Sequence, residues 1–223
     1  MKIVEAKRES VKKELQLKCK HCNNIGCPVC SKKKQFVDLM SDSNIPVAYW
    51  FLKMADFKGP DNVKAAVLKY RKNLEKNYTD GKGLCFTGQY GTGKTYSICS
   101  ILKSALVKQH TAYYTSLLDI GHYMTNFNYS DQFYQLVTRC DFLAIDEVDS
   151  RHFSDSDDAQ RYFGSNLERI VRYRSQNGLP ILIGTNNANL QEVFVGQYKR
   201  VIDSLLSKAV DVVPSLGKDF RKQ

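Results

Sequence analysis

The sequence predicts an α/β fold: a parallel sheet flanked by helices, with a small cysteine-rich appendage at the N-terminus. Three observations carry this expectation. Short apolar runs alternate with longer helical patterns between residues 84 and 213, and strands alternating with helices imply a parallel sheet covered on both faces. One of those runs enters a helix through the glycine-rich stretch "GQYGTGKT", residues 88–95. Four of the seven cysteines crowd into residues 19–30. With 223 residues and a hydrophobic fraction of 43%, the chain can hold one ordinary domain with a real core plus a small addition.

The addition comes first. In "MKIVEAKRESVKKELQLK", residues 1–18, Val4, Val11 and Leu15 fall near one helical face. Such a helix either packs on its own domain or docks a partner, and both readings stand. Next, Cys19, Cys22, Cys27 and Cys30 form C-x2-C-x4-C-x2-C. Each C-x2-C can fold as a knuckle that aims two thiolates at one point, and Asn23, Asn24 and Gly26 tolerate the tight reversal between them. Four thiolates complete a closed tetrahedral Zn²⁺ site of the structural kind, with His21 as a possible substitute ligand. The spacing differs from the usual iron–sulfur patterns. Lys32, Lys33 and Lys34 then read as a solvated linker or a phosphate contact. Residues 1–40 are therefore expected to form a separate zinc-binding, partner-docking module, and 41–223 the main domain.

Within the main domain a helix is predicted from Asp61 to Tyr78, with Val63, Ala66, Val67, Tyr70 and Leu74 along one side. Strand 84–87, helix 95–108, strand 112–115, helices through 116–139 and strand 142–146 follow. Helix 156–176, strand 180–184, short helices across 188–207 and strand 209–213 complete the series. Cys85, Cys99 and Cys140 sit in apolar or helical settings and read as ordinary core. An odd cysteine count without a framework of pairs points to a reducing compartment, the cytoplasm. No apolar run approaches a membrane span, and no signal peptide is visible.

Three stretches carry chemistry. Gly88, Gly91, Gly93, Lys94 and Thr95 match G-x-x-x-x-G-K-[ST], between a predicted strand and a predicted helix. In such a loop backbone N–H groups wrap phosphates, the lysine reaches the β- and γ-phosphates, and the hydroxyl ligates Mg²⁺. The helix N-terminus adds its positive end. Gly88, Gly91, Thr92, Gly93, Lys94, Thr95 and Tyr96 are the candidate nucleotide contacts. In "DFLAIDEVDS" the strand ends in Asp146 and Glu147. Carboxylates at the C-terminal tip of a parallel strand lie at the ligand edge of the sheet. Asp146 would hold Mg²⁺, and Glu147 would orient or deprotonate the attacking water. In "PILIGTNN", Asn186 lies just beyond a third buried strand, where its amide could help hold that water.

Taken in order, GQYGTGKT, FLAIDEVD, ILIGTNN, YKRVIDSLL and KDFRK resemble the DnaC/DnaI/IstB group of AAA+ ATPases. "SNIPVAYW" and "YRKNLEKNYTDGKGLCFTG" are similar to that group's approach to its first strand, so the resemblance covers roughly residues 44–223. It implies an AAA+ sheet in the order 5-1-4-3-2, ATP as the nucleotide, and work as a homo-oligomer or in a ring or spiral with a helicase. It places Asn186 as sensor 1 and Arg221 as sensor 2. The group usually has two arginines four apart in its box VII, the second serving as the finger on a neighbour's γ-phosphate. Here Arg200 fills the first place, and the second is Ser204. Either Arg200 takes the role, another subunit completes the site, or hydrolysis is weak.

The net charge of +10 suits nucleic-acid work. "YMTNFNYSDQFY" is the densest aromatic stretch, and Tyr123, Phe127 and Tyr129 either stack on single-stranded DNA or pack in the core. The resemblance implies a loader of a DnaB-type replicative helicase that also binds single-stranded DNA. A transposition helper on duplex DNA and a nucleotide-sensing DNA-binding adaptor are the competing expectations.

Overall fold

A proline in the first turn, and no glycine or further proline across fifteen residues, make Pro28–Asp42 a helix, α1. Cys27 is its N-cap, so the second cysteine pair runs straight into a helix start. Lys32, Lys33 and Lys34 are exposed on α1 rather than in a linker. The helix ends at Ser43, and Asn44 turns the chain with φ 54°. Val37, Met40, Ile45 and Trp50 are buried, and the Trp50 indole donates to the Ile45 carbonyl at 2.7 Å. This computed structural model describes residues 9–11, 27–152, 158, 160–189, 192–193, 199–217 and 219–220. It divides the chain into two units, Met1–Leu52 and Lys53–Gln223.

The second unit runs α2 (Asp61–Lys72), α3 (Leu74–Thr79), β1 (Gly83–Thr87), α4 (Lys94–Val107), β2 (Ala112–Ser116), α5 (Leu117–Thr125), α6 (Ser130–Arg139) and β3 (Phe142–Asp146). It continues through α7 (Ser165–Gln176), β4 (Ile181–Gly184), α8 (Lys199–Ala209) and β5 (Val210–Pro214). The single helix expected over 61–78 is broken at Asn73, whose side chain donates to the Lys69 carbonyl and whose own carbonyl starts α3. Asparagine often competes for backbone partners in this way. The helix expected over 156–176 is described from 160 and begins as a π-turn, Gln160–Gly164. That turn lays Tyr162 and Phe163 against Gly121 of α5. Of the helices expected across 188–207, the structure describes α8. Ser116 and Asp119 close a capping box at the start of α5.

The five strands form one sheet in the order β2-β3-β4-β1-β5, which from the other edge is β5-β1-β4-β3-β2, and every pairing is parallel. β1, β3 and β4 are buried at every residue because helices cover both faces. One face packs Cys85, Leu143, Ile145, Ile181 and Ile183 with side chains of α5, α6, α7 and α8. β1 and β3 are not sequence neighbours, yet only β4 separates them. The C-terminal tips of all three therefore meet at one edge, the ligand edge of an open α/β sheet. Cys85, Cys99 and Cys140 are buried, and burial pushes the Cys85 thiol up to about 12 and raises the other two. They are inert core, as the sequence suggested. Among the described residues, no helix is long and apolar enough to cross a membrane.

Candidate functional site

β1 delivers the chain to the ligand edge, and α4 carries it away. Between them Gly88, Gly91 and Gly93 have φ of 127°, 75° and 87°. At Gly91 a side chain is excluded twice: the backbone is left-handed, and a Cβ would collide with the Asp219 carboxylate. Thr92 is buried, and its hydroxyl closes the loop on the Gln89 carbonyl at 2.9 Å. Lys94 folds back, so that its buried ammonium donates to the Gly88 and Gln89 carbonyls at 2.7 Å each. Thr95, one residue on, points the other way, and its hydroxyl donates to Asp146 Oδ2 at 2.7 Å. The same carboxylate oxygen accepts from the Tyr114 phenol at 2.9 Å, and Asp146 Oδ1 accepts from the Glu147 backbone at 3.0 Å. Asp146 lies so close to β4 that a Cβ on Gly184 would overlap it.

Glu147 is exposed and left-handed, with φ 55°. Such a conformation is uncommon for a residue other than glycine, and it turns the chain sharply at the strand tip. The next residue is pinned, with Val148 N donating to the Gly184 carbonyl at 2.9 Å. Asn186 meets Asp149: its backbone N–H and its side-chain amide each donate to that buried carboxylate at 2.7 Å. Asn187 repeats the link, exchanging bonds of 3.0 and 2.8 Å with Ser150. The loops beyond β3 and β4 are thus joined by four polar side chains.

No family model matches this sequence, and no curated protein does. Solved structures do match. The crystal structure of the DnaC helicase loader aligns with a TM-score of 0.62 at 22% identity, over 76% of this chain and 99% of that one. The crystal structure of DnaI gives 0.62 at 15% identity, over 76% and 90%. The replication initiator DnaA bound to AMPPCP and single-stranded DNA gives 0.58 at 15% identity, over 76% of this chain and 50% of that one. This chain has a DnaC/DnaI-like AAA+ fold.

On this AAA+ frame the residues singled out in the sequence divide into groups. Gly88 to Thr95 and Asp146 come together directly, and Glu147 and Asn186 stand at the neighbouring strand tips. The Tyr96 hydroxyl donates to the Lys53 carbonyl at 2.6 Å, and its ring lies 5.4 Å from that of Phe57. Phe57 in turn stands over Gly93. Arg200 is exposed on the first turn of α8. Arg221 lies outside the described residues. The residue before it, Phe220, donates its N–H to the Gly91 carbonyl at 3.1 Å. Cys19 and Cys22 are also outside the described residues, as is the side chain of Cys30. Cys27 is partly buried. Among the described residues, no group of three or more His, Cys, Asp and Glu could hold a metal.

Sequence reasoning missed Tyr114 and Asp149. Asp149 stood in view within "IDEVDS", where a third acid beyond a strand tip is a signal for a structural anchor. Tyr114 carried no local signal. Both lie close to the groups a triphosphate and its cation would need. The donor set fits that ligand: a buried ammonium that donates to two loop carbonyls, and a hydroxyl–carboxylate oxygen pair of the kind Mg²⁺ accepts.

Proposed function

We propose that this chain is an ATP-dependent loader of a DnaB-type replicative helicase, working in the cytoplasm as an oligomer or in a ring or spiral with the helicase. The observation that carries the reading is the Lys94–Thr95–Asp146 arrangement on a DnaC/DnaI-like fold. In this reading Lys94 leaves its two carbonyls for the β- and γ-phosphates. Gly88, Gly91, Thr92 and Gly93 shape the loop, and the exposed loop backbone donates to phosphate oxygens. Thr95 and Asp146 would hold Mg²⁺, whose charge would offset that of the phosphates. Glu147 takes a proton from the attacking water, and Asn186, held by Asp149, orients it. Arg221 contacts the γ-phosphate in the same chain, and Arg200 faces a neighbouring subunit.

Residues 1–40 serve docking in this proposal. Cys19, Cys22, Cys27 and Cys30 hold one Zn²⁺, supported by their spacing and by the helix that begins directly after Cys27. A helix N-terminus favours thiolate, which suits the last pair. A segment this short builds no core without such a staple.

The test is binding with the full-length chain. It should retain a DnaB-type helicase on a column in the presence of ATP and Mg²⁺, and bind single-stranded DNA more tightly than duplex at matched salt. Stronger ATP-dependent binding to duplex would instead support a transposition helper and overturn the proposal. The affinity should fall steeply with salt, because phosphate contacts release counterions.

A further inference from the structure

Arg151 has no part in the mechanism above, yet it lies against the phosphate-binding loop. Its guanidinium makes a 3.1 Å ion pair with Asp149 Oδ2 and stands 5.7 Å from the centroid of the Tyr90 ring. Tyr90 is the third residue of the glycine-rich loop and is half exposed. Asp149 is 4% exposed at its side chain, while Arg151 is 53% exposed. The buried Asp149 therefore anchors a half-exposed guanidinium beside Tyr90 of the loop. In the same loop the Gly88 and Gln89 carbonyls hold the Lys94 ammonium. The same Asp149 also holds Asn186.

We propose that Arg151 is a catalytic cation in its own chain: its guanidinium binds the terminal phosphate of a nucleoside triphosphate held in the Gly88–Thr95 loop. The inference rests on the nucleotide-binding reading. A guanidinium carries five N–H donors in a rigid fork, and Asp149 takes its bond from Nη2. The group can keep that anchor and still donate to phosphate oxygens, so little is lost to ordering when it does. Asp149 then ties Arg151 and the water-orienting Asn186 into one unit.

The obvious rival is that Arg151 only neutralises the buried Asp149 carboxylate. The two roles differ in what they do to ATP relative to ADP. A neutralising role affects both nucleotides alike or neither, because ADP lacks the terminal phosphate but uses the same loop. The experiment is calorimetric titration of the full chain with AMPPCP and with ADP, each with Mg²⁺, for wild type, Arg151→Gln and Arg151→Lys. Arg151→Gln keeps a donor for Asp149 at a half-exposed position, so it should fold, and a melting curve checks this. It should bind AMPPCP about 10-fold to 100-fold more weakly, the usual loss for one bond to a charged group, with ADP affinity unchanged. Arg151→Lys should recover part of the loss. Equal weakening of both nucleotides, or no change in either, overturns the proposal and leaves the nucleotide site standing. If wild type and Lys94→Ala alike bind neither nucleotide, the underlying reading fails as well.

Discussion

Lys94 and Glu147 sit at opposite ends of the proposed chemistry, and their variants should fail differently. Lys94 is a buried cation aimed at the start of the loop. Lys94→Ala should abolish binding of ATP, measured by titration. Glu147 is exposed beyond the strand tip, so Glu147→Gln should bind ATP normally and hydrolyse it ~10²–10⁴-fold more slowly. An unchanged turnover in that variant would remove Glu147 from the mechanism. Tyr114 acts through Asp146. Burial and the Asp146 carboxylate push its phenol well above the ordinary value, so it stays a donor at working pH. If Thr95 turned to a cation, Tyr114 would remain to hold the carboxylate in place. Groups that orient a metal ligand are typically worth about 10–100-fold in metal affinity. Tyr114→Phe should therefore need about that much more Mg²⁺ for AMPPCP binding. Identical Mg²⁺ curves for variant and wild type would rule the role out.

At the scale of elements, the fold depends on a cation that does no chemistry. Arg174, on α7, is fully buried. Its two terminal nitrogens donate to the carbonyls of Val137 (3.0 Å), Cys140 (2.8 Å), Asp141 (2.9 Å) and Pro180 (2.7 Å). These oxygens belong to the end of α6 and to the segments leading into β3 and β4. A helix C-terminus leaves carbonyls unpaired and carries partial negative charge, so a cation there offsets both. The fork thus joins one helix end to two strand starts, which helps hold β3 beside β4. Removing it strands several buried oxygens at once. Arg174→Met should cost about 3 kcal/mol or more in urea unfolding, since each buried oxygen left unsatisfied costs about 1–3 kcal/mol. A loss below about 1 kcal/mol, the scale of a surface change, would show that the cage is replaceable. Arg174→Lys should rescue only partly, since a point charge cannot reproduce the fork.

At the scale of the whole molecule, the proposal separates an engine from a docking module. Metal analysis of chelator-washed protein should find about one equivalent of zinc per chain, because structural sites bind tightly enough to survive washing. Near-zero metal would remove the four-cysteine site. Deleting residues 1–40 should leave ATP binding intact and abolish retention by the helicase. A truncated chain that keeps the helicase but loses its DNA affinity would make the appendage a nucleic-acid grip instead. The exposed lysines of α1 are the groups that would serve one.

What the sequence determined by itself is whatever its contiguous residues impose on one another. The run from Gly83 to Val107 was legible because a buried strand, a glycine loop and a helix are each coded within a few residues of backbone preference. The strand ending in Asp146 was legible for the same reason, from its apolar run and its abrupt acids. The strand–helix alternation was enough for the fold class. The break at Asn73 and the helix across Lys32–Lys34 were not read, because there short polar side chains and the absence of breakers compete evenly with the hydrophobic pattern. Only the tertiary structure decided which groups meet. Tyr114 and Asp146 are 32 residues apart, and Asp149 and Asn186 are 37. Arg151 meets Tyr90 from another strand's loop, and Arg174 gathers carbonyls from three elements. No local pattern encodes such pairs. They exist because β4 pairs between β1 and β3, bringing three distant strand tips to one edge, and hydrogen bonds at 2.7–2.9 Å form only once that packing has set the distances.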